Sequence, residues 1–165
     1  MPSQPIEYLE VSPEVVPLVL LLEADPNESS INSYLAGSWC FVAKQDEKII
    51  GACVAKTIQE GCAEIFNVAV LPNTQGKGVG TKLLQFVLGE LERKGVRRVE
   101  LGTGAFGYQL TYYHRLGFRV GEVIQNHFLD NYSEPIFENG IQHKDMLRLY
   151  VDLKPAATHS QVDIG

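Results

Sequence analysis

The chain has 165 residues, of which 45% are hydrophobic and 21% charged, and its net charge is −6. That length and composition suit one soluble globular domain, large enough to bury about two-thirds of its unfolded surface. The acidic balance argues against nucleic acid or an anionic membrane as the main partner, and the three cysteines, with no C-x-x-C spacing, indicate neither a disulfide framework nor a metal site.

Ile6–Val11 reads as a first strand. Ser12-Pro13-Glu14 is a helix start, with an N-cap residue, a proline at N1 and an acid in the first turn. This helix is expected to run to about Asp25, with Pro17 distorting its beginning. Its apolar run Val15–Leu22 is too short to span a bilayer, no targeting segment is apparent, and a cytoplasmic location is the default expectation. Asn27–Leu35 is a second helix, with Gly37 as its stop. Ser38–Lys44 and Lys48–Ile58 form a hairpin around Gln45-Asp46-Glu47, and Cys62–Leu71 is a strand apolar on both faces, as a central strand should be.

After Pro72 and Asn73 comes Gln75-Gly76-Lys77-Gly78-Val79-Gly80, which turns directly into an amphipathic helix. Its apolar positions are Val79, Leu83, Leu84, Val87, Leu88 and Leu91, one buried face, and Lys94 with Gly95 closes it. Arg97–Leu101 is a strand, Gly102–Gly107 a glycine-rich loop, and a short helix then reaches about Leu116 before Gly117. Phe118–Phe128 returns as a strand and Asp145–Leu153 is the last one. Between them Asn139-Gly140 marks a tight turn, while residues 154–165 lack periodicity and read as a loose tail to a single domain at 1–153.

Glycines at a helix start cost up to about 1 kcal/mol each relative to alanine when they lie inside the helix. What they supply is bare backbone N–H groups at the positive end of a helix dipole, which is an anion site and above all a phosphate site. A P-loop needs G-x-x-x-x-G-K-[ST], which the chain lacks. A dinucleotide fingerprint starting at Gly76 and Gly78 meets Thr81 at its third glycine position. A literal G-x-G-x-x-G does occur at Gly102–Gly107, but such a motif opens a domain with several further βα units and an acid about 20 residues on. Fewer than 60 residues remain here, and Glu122 comes too early and lies inside a strand.

The letters that fit are Q-x-x-G-x-G, as Gln75, Gly78 and Gly80. They resemble the acyl-CoA pyrophosphate loop of the GNAT superfamily of N-acetyltransferases. A second match lies in Tyr112-Tyr113-His114-Arg115-Leu116-Gly117-Phe118, which is similar to the superfamily's Y-x-x-x-G-F signature with Tyr113 at the tyrosine position. The resemblance covers about residues 5–153. It implies an α/β (α+β) fold with a mixed, mostly antiparallel central sheet of about 6–7 strands and about four helices, in the order β-α-α-β-β-β-α-β-α-β-β.

The resemblance further implies an acyltransferase that uses acetyl-CoA as cosubstrate and a primary amine as acceptor. Gln75, Gly76, Lys77, Gly78, Val79, Gly80 and Thr81 would hold the pyrophosphate, and the backbone of Val68, Ala69 and Val70 the pantetheine arm. Relatives often place a CoA-binding asparagine before the last helix; this chain has none there, and Gln109 is the substitute. Tyr113 would protonate the departing thiolate, with Tyr112 as the neighbouring alternative. The attacking amine must be neutral, which at pH 7 costs roughly 4–5 kcal/mol for a lysine-like group. Glu64, on the strand that feeds the loop, is the first candidate base, with its face continuing through Phe66, Val68 and Val70. His127 and Asp130, at the far end of a strand, are weaker choices. Asp130, Glu134 and Glu138 are placed as an acidic rim for a cationic acceptor. A homodimer rests on resemblance only. The rival readings are a non-catalytic acyl-CoA sensor and, third, a dinucleotide oxidoreductase.

Overall fold

The computed structural model describes residues 4–153, so the expected tail at 154–165 lies outside the described residues. The first strand, β1 (Glu7–Val11), leads into a single 3-10 turn at Pro13–Val15 and then α1 (Leu18–Leu21). The one long helix expected up to Asp25 is therefore broken. Proline disfavours the helical region for the residue before it, and Val16 and Pro17 are both extended. Then α2 (Glu28–Leu35) starts on Asn27, whose side chain accepts from the Ser30 N–H at 3.1 Å.

A hairpin follows, β2 (Trp39–Gln45) and β3 (Lys48–Gln59), with Asp46 and Glu47 both at positive φ in the two-residue turn. Next come β4 (Cys62–Val70), α3 (Val79–Arg93), β5 (Arg98–Gly104) and α4 (Tyr108–Arg115). The strand expected over Phe118–Phe128 ends early. It is β6 (Arg119–Ile124), after which Asn126 adopts the left-handed conformation, its N–H donating to Asp145, and starts α5 (His127–Asn131). A small separate hairpin, β7 (Phe137–Glu138) and β8 (Ile141–Gln142), turns at Asn139-Gly140 as expected, and β9 (Met146–Asp152) closes the chain.

Seven strands make one sheet in the order β1-β2-β3-β4-β5-β9-β6, antiparallel throughout except for the β4–β5 pair. One face is covered by α3, whose Leu83, Leu84, Val87 and Leu91 are fully buried against Phe41, Cys53, Ala63 and Val99. The helix ends in a Schellman motif: Gly95 N–H bonds to the Glu92 carbonyl, and Val96 N–H to the Leu91 carbonyl. The other face carries α1 and α2, with Leu20, Leu21 and Ile31 packed on Cys40, Val42 and Val54. Being covered on both sides is why the central strands carry apolar residues on both faces. Among the described residues no helix is long and apolar enough to cross a membrane.

Burial leaves a mark on the ionisable core. It pushes the phenols of Tyr34, Tyr112 and Tyr113 and the thiols of Cys40, Cys53 and Cys62 above their ordinary values. Each group therefore ionises earlier in the unfolded chain, so its contribution to stability is complete below the unfolded pKa and lost as pH rises past it. Urea denaturation at a series of pH values should show stability falling from about pH 8.5, where free thiols titrate, and more steeply beyond about 10, where free phenols do. A profile that stays level to pH 10.5 would contradict this account.

Candidate functional site

The site begins where a strand pair comes apart. β4 and β5 are hydrogen-bonded only over Cys62–Glu64 and Arg98–Glu100. Beyond that β4 continues beside β3 alone and β5 beside β9 alone, so the two diverge into a V. A bulge bends β4 at this point: Ala55 pairs with Ile65 and Val54 with Asn67, which leaves Phe66 as the extra residue. At the vertex Arg148 on β9 reaches across both strands. Its guanidinium donates to Glu64 at 2.8 and 3.2 Å and to Glu100 at 2.9 Å. Burial opposes that charge, but the bonds to the two carboxylates outweigh it and raise the Arg148 pKa above its ordinary value.

The bulge also corrects the face expected for Glu64. Ala63 and Ile65 point under α3, and after the bulge Val68 and Val70 take over that side. Glu64 alternates with them and shares the opposite face with Phe66, Asn67 and Ala69. A single extra residue inverts the alternation, so no period-two reading of the sequence carries across it.

At the open end of β4, the Gln75 amide donates back to the Val70 carbonyl at 3.1 Å and ties the loop to the strand. Gly76 and Gly78 both have φ of +81°, in the left-handed region, and an added Cβ at either would meet open space. Gly78 is the N-cap of α3 and no side chain caps the helix, so its first-turn N–H groups face outward unpaired. Gly80 is different: a Cβ there would sit 3.0 Å from the Tyr112 hydroxyl. A cleft of about 390 Å³ lies along this loop and the β4 edge. Of the residues expected to hold a cosubstrate, all but Lys77 line it, and Lys77 is exposed. Tyr112, the alternative to Tyr113, also lines it, and Glu23, Ala24, Thr74 and Tyr108 complete the wall without any sequence signal having marked them.

A second cavity of about 430 Å³ opens on the other side of the V and shares Ala24, Val68, Gln109 and Tyr113 with the first. Tyr113 is 7% exposed and packs edge-on against Phe118, with ring centroids 5.8 Å apart. Glu64 lines this second cavity. So does His127, which sits on α5 rather than on a strand end, and whose pKa is lowered by burial and then by Arg148, against an opposing effect of Asp130. Of the expected acidic rim, only Glu138 reaches the cavity; Asp130 and Glu134 are exposed outside its wall.

Two polar groups here were missed by sequence reasoning. Asp25 accepts from Ser30 at 2.9 Å, from Tyr34 at 3.0 Å and from the Asn27 N–H, and Asn67 donates to Tyr34 and to the Leu21 carbonyl. His143 bonds to Glu138 at 2.9 Å and stacks on Phe106 at 4.1 Å. This second pair also explains Gly102–Gly107. The first two glycines lie inside β5, not in a loop, and a Cβ at Gly102, Gly104 or Gly107 would collide with Met146, His143 or Glu138 respectively. The space beside these glycines is filled by the chain's own side chains, which overturns the dinucleotide reading of the motif.

A family model described as Acetyltransferase (GNAT) family matches residues 16–118. An uncharacterized N-acetyltransferase, YvbK of Bacillus subtilis (strain 168), is 38% identical over 135 residues, which is 81% of this chain and 87% of the relative. Among solved structures, an IAA acetyltransferase from Bacillus cereus ATCC 14579 superposes with a TM-score of 0.86 at 37% identity, covering 90% of this chain and 100% of that one. A GNAT family acetyltransferase from Elizabethkingia anophelis with acetyl-CoA bound gives 0.85 at 36% identity, covering 90% and 98%.

The loop geometry sets a direct test. Gly78→Glu brings a carboxylate and a disfavoured left-handed side chain to the uncapped turn of α3, so, if that turn holds the pyrophosphate, calorimetric titration should show acetyl-CoA binding weakened by at least about tenfold, with the fold retained by circular dichroism. Unchanged affinity would remove the loop from the site.

Proposed function

Because the chain belongs to the Acetyltransferase (GNAT) family and is an acetyl-CoA-dependent N-acetyltransferase, we propose that the acetyl group changes hands beside Tyr113. The observation that carries this reading is that two clefts of different character meet at that residue. The first presents the uncapped turn of α3 to a pyrophosphate through Gln75, Gly76, Gly78, Val79, Gly80 and Thr81. Its wall continues along Val68, Ala69 and Val70, on the edge that β5 leaves unpaired, where a pantetheine arm finds backbone partners. Gln109 lines both clefts and takes the position that an asparagine holds in relatives. Lys77 contributes solvated charge only.

The acceptor enters from the second cavity. Its neutral nitrogen attacks the thioester carbonyl directly; a C–N bond forms, the C–S bond breaks, and the electron pair passes to sulfur. Tyr113 gives its proton to that sulfur. A phenol suits the task, because it is protonated at neutral pH and a thiol leaves readily with a pKa near 8.5. Glu64 stands on the acceptor wall, where the amine proton must go. Both its oxygens accept from Arg148, so we assign it deprotonation through a bridging water on the remaining lone pairs. The cytoplasm, where thiols such as the three free cysteines stay reduced, is the compartment this reading assigns.

Steady-state kinetics on primary amines test the reading. Tyr113→Phe should lower kcat by about a hundredfold while leaving acetyl-CoA affinity within a few fold, since only a proton donor is removed. A wild-type protein that binds acetyl-CoA and acetylates no amine in a broad panel would point instead to an acyl-CoA sensor.

A further inference from the structure

The second cavity has a charge pattern that neither the family nor the fold requires. Three carboxylate groups stand on its wall, and two of them, Asp25 and Glu64, belong to clusters that retain one net negative charge. Asp25, 9% exposed, is held only by neutral donors, namely two hydroxyls and a backbone N–H. Glu138 is bonded to Nε2 of the His143 ring at 2.9 Å. Glu64 shares its single cation, Arg148, with Glu100, so two acids face one base. Among the described residues the cavity wall includes no lysine or arginine, and His127 is held toward its neutral form by burial. Buried negative charge without a counter-charge is costly to maintain.

A second observation is independent of the acids. Asn67 is 4% exposed and uses both donors of its amide on Leu21 and Tyr34, which leaves Oδ1 buried without a donor. His143 is 8% exposed, and its bond to Glu138 leaves Nδ1 buried without a partner as well. Both residues line this cavity. Oδ1 of Asn67 is a hydrogen-bond acceptor, as is Nδ1 of a His143 ring that donates from Nε2 alone, and native interiors rarely leave such atoms unmatched. What the cavity lacks is therefore donors and positive charge, at more than one place. Aromatic rings also stand on its wall, with Phe66 stacked on Tyr34 at 5.1 Å and Phe106 on His143. Such rings suit methylene stems and the faces of ammonium groups.

We propose that this cavity takes an alkyl di- or polyamine, one primary nitrogen being acetylated beside Tyr113 while a second, protonated nitrogen is held by Asp25 and Asn67 or by Glu138 and His143. The proposal rests on the transferase reading above and names its acceptor class. An ammonium offers three donors without an acceptor, which matches a wall of orphan acceptors and carboxylates. A free amino acid brings a carboxylate into a field of the same sign and is rejected.

The test is a kinetic comparison of butylamine, 1,4-diaminobutane, spermidine, lysine and an amino sugar, with the full-length protein and acetyl-CoA. The diamine and spermidine should exceed butylamine in kcat/KM by about tenfold or more, as expected for one added charge-assisted hydrogen bond. At least one of Asp25→Asn and Glu138→Gln should raise KM for the diamine several fold and shrink its advantage over butylamine, and an unchanged advantage in both would overturn the proposal. Acetyl-CoA titration of both variants checks that the fold and the first cleft survive. Equal kcat/KM for butylamine and the diamine, a preference for lysine, or a preference for the amino sugar alone would overturn the polyamine assignment and leave the transferase reading standing. Loss of acetyl-CoA binding in the wild type would instead remove that reading and the proposal with it.

Discussion

The site depends on one constraint, the parting of β4 from β5 after three paired residues. Two features hold the strands at that divergence. The bulge at Phe66 bends β4, and Arg148 pins the vertex by binding Glu64 on one strand and Glu100 on the other. A guanidinium is suited to this because its planar fork satisfies two carboxylates at fixed angles and stays charged when buried. Beyond the vertex, backbone groups that a closed sheet would pair internally are left for water or a ligand. The V thus creates a ligand edge in the middle of a sheet, where no loop has to be ordered to form it.

The two glycine runs show how differently the same residue type is used. Gly76 and Gly78 adopt left-handed φ and face open space, so they clear room for something the chain does not contain. Gly102, Gly104 and Gly107 clear room for Met146, His143 and Glu138, which the chain supplies from its last hairpin and strand. That packing sets the His143–Glu138 pair against the end of β5 and so brings it to the acceptor cavity.

Opposite charges are handled by different means in the two clefts. On the proposed reading, the anionic cosubstrate meets backbone N–H groups at a helix terminus, a positive field that needs no basic side chain, and the cationic acceptor meets carboxylates. Tyr113 stands where the two clefts join.

Local chemistry was enough to place the glycine-rich turn before α3, α3 itself with its buried face and closing Gly95, and the hairpin turns at Asp46-Glu47 and Asn139-Gly140. These follow from contacts within a few residues, where helix periodicity, dipole and left-handed φ act on the sequence directly. The face of Glu64, the partners of Gly102–Gly107, the split of the first helix from Pro13 onward and the gathering of Asp25, Asn67, Glu138 and His143 were decided only by the tertiary structure. The bulge is an outcome of pairing with β3, and it inverts an alternation that the sequence carries unbroken. The cavity charges come from residues 25 to 143, brought together by strand order, and no local pattern records which distant side chains will share a wall.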